Sequence, residues 1–549
     1  VPQEIAAVVI LESTNVDRGN QLTYLELTDM TKRATLLIAS TFLLAVSACK
    51  GTEISTSLER GIPELEGVSS DAIIEYLNAV EQSNHKFHSF MLLRHGKVIA
   101  EGWWDPYRPD LKHTMYSLSK SFTSTAVGFA ASEGLLSLDD KVVSFFPEDL
   151  PDTVGPYLAQ LTVKDVITMT TGQDPDPTGI VARDSNWVKT FLATPIVHEP
   201  GSTFLYNTLG TYMLSAIVTE ASGEKVIDHL KPRLFEPLGI TDIDWEVDPQ
   251  GRNTGGWGLR IRTEGMAKFG QLYLQNGMWN GERVLPESWV EEATTASILQ
   301  APELPDSVRQ SSDWLQGYGY QFWRCRHNAF RADGAFGQFV IVMPDQDAVV
   351  VITSETADMQ GEANLVWDYL LPAMQEGALP ENAEAEARLR DRLAALALPI
   401  PESAASPSSE VAVAGNRYAI EPNERGIASL SYTCTDERCT VTMTTDTVAF
   451  TFAFGNGRWE YGETTRRGPY LVGAAKAAYV GLPPLRVAGA YAWDDESTLR
   501  LVLRYIESPH TETLVSVFDG DAITVTMLNS FTPPPDEATL QGVLVQEDQ

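Results

Sequence analysis

The sequence predicts two folded parts of different class: an α+β domain over residues 71–378 and an all-β module, barrel or sandwich, over residues 411–549. Three observations carry this reading. Strand-like runs stand at both ends of the first part with helical spacing between them, so its sheet must be assembled from distant segments. Residues 399–407, Pro-Ile-Pro-Glu-Ser-Ala-Ala-Ser-Pro, interrupt the chain after a helix-forming stretch at 380–398, which makes 379–410 a helix and linker. Beyond it, apolar and polar residues alternate through 429–443, 448–461, 498–506 and 513–527, with turn residues between them.

Taken in chain order, residues 71–80 have helical character, and 90–104 hold two strand-like runs around His95-Gly96, a hairpin. Residues 117–133 are spaced as a helix that stops at Gly134, and 210–222 read the same way. Residues 318–325, 337–342 and 348–353 read as strands, the last two joined at Asp345-Gln346-Asp347. With 549 residues, 43% of them hydrophobic, the chain has ample surface to bury, which excludes a wholly disordered protein. Its 74 acidic against 40 basic side chains, net −34, would repel a phosphate backbone, so nucleic acid is excluded as a partner. The excess acid reads as a solvated surface.

The amino-terminal region is expected to direct export. Met30-Thr-Lys-Arg precedes residues 34–48, fifteen mostly apolar residues without a charge, too short to span a membrane comfortably and suited to a secretory signal at 30–48. The run ends Val46-Ser47-Ala48-Cys49, which resembles a bacterial lipobox, and that resemblance implies acylation of Cys49. Lys50, rather than Asp, follows it, which resembles outer-membrane sorting. The expected location is therefore extracytoplasmic, periplasmic or attached to the outer membrane, with the membrane as partner through the lipid anchor only. Residues 1–29 would then be an upstream leader or an artefact, and 49–70 a polar tether.

Export permits disulfides. Cys434 and Cys439 flank Thr-Asp-Glu-Arg between alternating strands and are candidates to bridge across a hairpin, with two free thiols as the alternative. Cys325 would stay unpaired. His85 and His88 are the one close pair among eight histidines, and they read as a solvated loop beside Lys86 rather than a metal site. No metal and no cofactor are expected.

Ser-x-x-Lys occurs four times, at Ser47/Lys50, Ser83/Lys86, Ser117/Lys120 and Ser222/Lys225. Only Ser117 lies where an apolar approach, Met115-Tyr116, meets the start of a helix rich in small residues. There Ser and Lys three positions apart share one helix face, and the unpaired N–H groups of a helix start can face a developing oxyanion. A serine hydroxyl needs a partner to take its proton: a lysine with a depressed pKa, or a tyrosinate that the lysine stabilises. Tyr206, in Pro200-Gly-Ser-Thr-Phe-Leu-Tyr-Asn-Thr208, is the candidate tyrosine. Downstream, Asp333-Gly-Ala-Phe-Gly-Gln-Phe-Val340 leads into a strand in which glycine allows close backbone approach to a ligand.

These three segments in this order resemble the serine β-lactamase and penicillin-binding superfamily, in the branch of class C β-lactamases, family VIII carboxylesterases, D-aminopeptidases and 6-aminohexanoate-dimer hydrolase. Supporting text covers most of residues 75–375, including Leu161-Thr-Val-Lys-Asp-Val166, Met169-Thr-Thr-Gly172, Gly255-Gly-Trp-Gly-Leu259, Phe269-Gly-Gln-Leu-Tyr-Leu274 and Val284-Leu-Pro286. The resemblance implies a β-lactamase-like antiparallel sheet flanked by helices, with a mostly helical subdomain. It implies Ser117 as nucleophile, Lys120 as its proton partner and Tyr206 as general base. It places the backbone N–H groups of Ser117 and Gln338 in an oxyanion hole, and Asn207, Thr208, Ala335, Phe336 and Gly337 against the substrate. The β module is similar to the lipocalin-like carboxy-terminal domains of some of these hydrolases, with structural support or covering of the pocket as its role.

Two departures from the family pattern matter. Thr208 holds the position where the tyrosine motif ends in Asn, and Asn207 stands one place early. Ala335 replaces the Lys or His that greets a substrate carboxylate, leaving Arg326, His327 or Arg331 as substitutes. The departures favour hydrolysis of small esters or amides through an acyl-enzyme over a β-lactamase or D-amino-acid peptidase acting on peptidoglycan-like substrates. A noncatalytic binding lipoprotein is the alternative from another class, and retention of all three reactive side chains argues against it. The expected partner is a small-molecule ester or amide, and the oligomeric state is left open.

Overall fold

A computed structural model describes residues 57–407, 414–472, 482–531 and 538–545. The expected signal at 30–48 and Cys49 lie outside the described residues. Among the described residues no helix is long and apolar enough to cross a membrane.

The first domain is built on a seven-stranded sheet whose centre joins the two ends of the domain. Its first helix, α1 (Ser70–Gln82), buries Ile73, Tyr76, Leu77 and Val80, a stripe at helical spacing. The hairpin follows as β1 (Lys86–Arg94) and β2 (Lys97–Trp103). Then come α2 (Ser119–Ser132), α3 (Thr208–Ser222) and α4 (Thr263–Leu274), and the sheet resumes with β3 (Phe330–Gly334), β4 (Gln338–Met343) and β5 (Ala348–Glu355). The helix α5 (Ala383–Ala394), capped by Asn382, ends the domain. Strand β5 pairs with β1, Val350 opposite Leu92, so distant segments do meet in one sheet.

Both faces of the sheet are covered, which explains the nearly continuous apolar runs of β4 and β5. Met91, Leu93, Val340, Val342, Val349 and Val351 face α2 and α4, while Phe90, Leu92, Phe339, Ile341, Val350 and Ile352 face α1 and α5. The helix α2 is buried nearly all round, as a central helix between sheet and helical subdomain must be.

The carboxy-terminal module is a closed barrel of nine strands, not a sandwich. The module has ten strands, nine of them in the ring: β6 (Ala414–Ile420), β7 (Ile427–Cys434), β8 (Arg438–Thr445), β9 (Ala449–Asn456), β10 (Glu460–Thr464), β11 (Leu485–Trp493), β12 (Thr498–Tyr505), β13 (His510–Asp519), β14 (Ala522–Asn529) and β15 (Ala538–Leu544). Neighbours run antiparallel, β15 returns to β6, and a short parallel pairing of Gly455 with Ala490 closes the ring from β9 to β11; β10 is the extra strand, paired to β11. Alternate residues such as Leu430, Val441, Leu501 and Val525 fill the interior.

Several sequence expectations are corrected. Residues 318–325 form a strand only at Trp323–Arg324, because Gly319 lies so close to the 287–294 helix that a Cβ would stand 2.1 Å from the Ala293 oxygen, and Gln321 is left-handed at φ 63°. The tether is folded from Leu58 onward, with Glu59–Arg60 pairing parallel to β2. The linker is strapped to the barrel, Ser403 Oγ accepting from Trp493 N at 3.0 Å. His88 is not solvated: it is fully buried, its Nδ1 3.0 Å from His113 Nε2. The strand ends hold that pair against the barrel, where Thr114 N donates to Glu507 O at 2.9 Å and Thr511 Oγ1 to Glu355 at 2.8 Å.

Candidate active site

Ser117 sits in a single 3₁₀ turn, Tyr116–Leu118, that runs directly into α2. The residue before it, Tyr116, is fully buried and left-handed at φ 46°, a conformation that non-glycine residues hold only when surroundings enforce it. One turn into the helix, Lys120 points back at the serine, its Nζ 2.9 Å from Ser117 Oγ and donating to Gly256 O at 2.8 Å. Lys120 is 1% exposed, and burial pushes its pKa down to about 7 against the opposing pull of Asp176 and Asp333.

Tyr206 completes the cluster from the loop that enters α3. The Lys120 ammonium lies 4.8 Å from its ring centroid, and the ring stacks on Trp323. Burial, reinforced by the Asp333 charge, holds the phenol above its ordinary range, while its hydrogen bond with Ser117 pulls the other way. The three expected reactive side chains therefore meet in one place.

The neighbouring residues divide. Asn207 is fully buried as the N-cap of α3: its Oδ1 accepts from Gly210 N at 2.8 Å, and its Nδ2 donates to Thr171 and Gln173. That side chain is engaged by the fold, so its expected substrate contact is corrected, and Thr208 is the motif residue on the cavity wall. Gln338 is also fully buried, paired across the β3–β4 hairpin with Gly334, its Nε2 donating to Ala335 O and Ser354 O. The close approach happens at Gly334 instead, where a Cβ would stand 2.0 Å from the Met115 oxygen. Ala335, the next residue, is partly exposed. Phe336 packs on barrel residues His510 and Phe531, and Gly337 lies against Ser354 and Glu362.

Two of the three substitute cations, Arg331 and Arg326, are engaged by the fold. Arg331 is buried, 2.9 Å from Asp333 and stacked on Trp314; Arg326 pairs with Asp313; His327 packs on Trp367. Cys434 and Cys439 are cross-strand partners at the β7–β8 turn and are joined in a disulfide.

Beside Ser117 opens a cavity of about 320 Å³. Thr178, Thr208 and Trp257 form part of its wall, and Leu471 and Val472 of the barrel form another part. Sequence reasoning missed these two, along with Asp176, Asp333 and the Gly256 carbonyl. Gly255-Gly256 was visible as a motif, but nothing in spacing ties residue 471 to residue 117.

Residues 80–375 match the beta-lactamase family, more than half of the chain. The 6-aminohexanoate-dimer hydrolase of Paenarthrobacter ureafaciens is 26% identical over 312 residues, 53% of this chain and 79% of that protein. Protein flp of Staphylococcus aureus is 23% identical over 193 residues, 32% of this chain and 38% of its own length. Among solved structures, a family VIII carboxylesterase superposes with a TM-score of 0.45 at 15% identity, covering 57% of this chain and 98% of that one. An octameric penicillin-binding protein homologue from Pyrococcus abyssi also gives 0.45 at 15% identity, covering 86% and 99%. With a family match across most of the α+β domain and a serine–lysine–tyrosine cluster at its centre, the chain belongs to the beta-lactamase family, the serine hydrolases related to penicillin-binding proteins.

Proposed function

We propose that the protein hydrolyses esters or amides of small substrates through an acyl-enzyme on Ser117. One observation carries this reading: a buried lysine whose pKa is drawn down to about 7 stands 2.9 Å from a serine hydroxyl at the edge of a cavity. A neutral Lys120 accepts the Ser117 proton as Oγ attacks the carbonyl carbon. The oxyanion is met by the backbone N–H groups of Ser117 and Ala335, the latter replacing Gln338 because Gly334 brings the chain against the nucleophile turn. Tyr206, kept protonated by burial, relays a proton to the leaving oxygen or nitrogen and regains one from Lys120. Water then attacks the acyl-enzyme as the same pair works in reverse. This inverts the division of labour between Lys120 and Tyr206 that the resemblance implied.

Ala335, with the engaged Arg326 and Arg331, supports neutral ester or amide substrates over carboxylate-bearing β-lactams and peptides. The test compares wild type with Ser117→Ala on p-nitrophenyl esters, a chromogenic cephalosporin and D-amino-acid amides. Ester or amide turnover that falls roughly 10⁴-fold or more in the variant is the expected result; equal turnover in both proteins overturns the reading. We further propose lipidation at Cys49 and an extracytoplasmic location, supported by the order of charged, apolar and small residues ahead of it. A membrane-extracted species that retains Val1 by mass spectrometry would overturn that part.

A further inference from the structure

The barrel does more than lean on the catalytic domain. Its residues Leu471 and Val472 line the cavity beside Ser117, and a set of directed contacts through Tyr470 and Leu471 holds them there. Tyr116, the residue before the nucleophile, has a hydroxyl that pairs with His510 Nε2 and accepts from Leu471 N at 3.4 Å. His510 is in turn fixed by Ser530, Nδ1 to Oγ 2.9 Å. On the other side, Tyr470 OH donates to the buried Glu246 carboxyl, 2.7 and 2.6 Å from its two oxygens. The Tyr470 and Tyr116 rings lie 6.0 Å apart, so the two anchors brace each other. Leu471 itself is half-exposed, 51%, at the cavity rim, an apolar side chain not needed by either core.

We propose that Leu471 and Val472 are specificity-determining residues: a wall supplied by the barrel limits the size of the substrate group that lodges beside Ser117, with Tyr116 and Glu246 as positioning residues for that wall. The proposal rests on the reading of Ser117 as the acylated residue. A wall braced at two points excludes bulk, and one or two methylenes of misfit in such a pocket change kcat/KM by about tenfold or more.

The test measures kcat/KM for two p-nitrophenyl and alkyl ester series, one lengthening the acyl group from acetyl to octanoyl and one enlarging the alcohol, in wild type, Leu471→Gly, Leu471→Trp and Tyr470→Phe. Leu471→Gly is expected to raise the long-to-short kcat/KM ratio about tenfold in one series, Leu471→Trp to lower it, and Tyr470→Phe to raise it about threefold by loosening the wall. Thermal melts of each variant confirm folding, and the opposed glycine and tryptophan changes keep the test decisive if one variant is unstable. Flat size profiles in all three variants, with turnover still abolished by Ser117→Ala, overturn the wall and leave the acyl-enzyme standing. Turnover that survives Ser117→Ala overturns the acyl-enzyme reading on which the wall rests.

Discussion

The floor of the catalytic cavity and the seam between domain and barrel both bury titratable side chains, and they treat them in opposite ways. In the seam, ions are matched: Glu355 takes Thr511 Oγ1 at 2.8 Å, with Lys86 at 3.4 Å and Arg504 at 3.6 Å, and the histidines His88, His113 and His510 are held neutral by burial. In the floor, Lys120 hydrogen-bonds to the neutral oxygens of Ser117 and Gly256 and lies over the Tyr206 ring, with no carboxylate in ion-pair contact, and Asp176 and Asp333 act on it from farther off. A matched buried charge is inert because each partner pins the other's protonation state. An unmatched one sits close to giving up its proton, which destabilises the fold and serves chemistry.

The largest break of this contrast comes from Lys120→Met, which keeps length and volume and removes the amine. Activity should fall about 10³-fold while stability rises by about 2 kcal/mol, because an unpaired buried cation is removed. Steady-state rates and urea melts on the same preparation check both signs; a variant that loses stability and activity together would place Lys120 with the matched charges of the seam. In wild type, kcat/KM should rise with pH through about 7 as Lys120 loses its proton. A smaller effect follows from Gly334→Ala, whose methyl group would meet the Met115 oxygen: about 2 kcal/mol of stability and most of the activity should be lost, read by melting and ester turnover.

The seam is probed by acid. His113 is pushed down from 6.5 to about 3 by burial, so the unfolded chain takes up this proton first as pH falls. Stability from the buried neutral imidazoles is therefore complete above 6.5 and is lost progressively below it. Melting temperature should fall across that window, and His510→Gln, which still accepts from Tyr116, should flatten the fall by about 1 kcal/mol. The smallest change is expected at the barrel end: Cys434→Ala with Cys439→Ala opens a loop with a sequence separation of only 5, costing about 1–2 kcal/mol by melting, with ester turnover untouched.

The sequence revealed what local chemistry encodes. The stripe of α1, the β1–β2 hairpin, the serine and lysine three apart and the apolar β4 and β5 were all legible because each follows a short period. What was missed depends on tertiary approach. Asn207 looked like a ligand residue, yet the start of α3 claims its amide as a cap. The close approach of Gly334 to the Met115 oxygen is likewise one that no spacing reveals. His88 sits in a polar stretch, but Tyr107 stacks on its ring and His113 pairs with it. The pairing of residue 116 with residue 510, and the arrival of Leu471 beside Ser117, arise from domain docking and have no sequence signal at all.

The central claim is that Ser117 carries the acyl group with Lys120 as its base. Peptide mapping by mass spectrometry after rapid acid quench of the protein turning over p-nitrophenyl acetate tests it directly. A 42 Da adduct, the mass of about one acetyl group, is expected on the peptide holding Ser117, building up above pH 7 and absent from Lys120→Met on the same timescale. An adduct on another residue, or undiminished turnover with Ser117 never modified, would contradict the account.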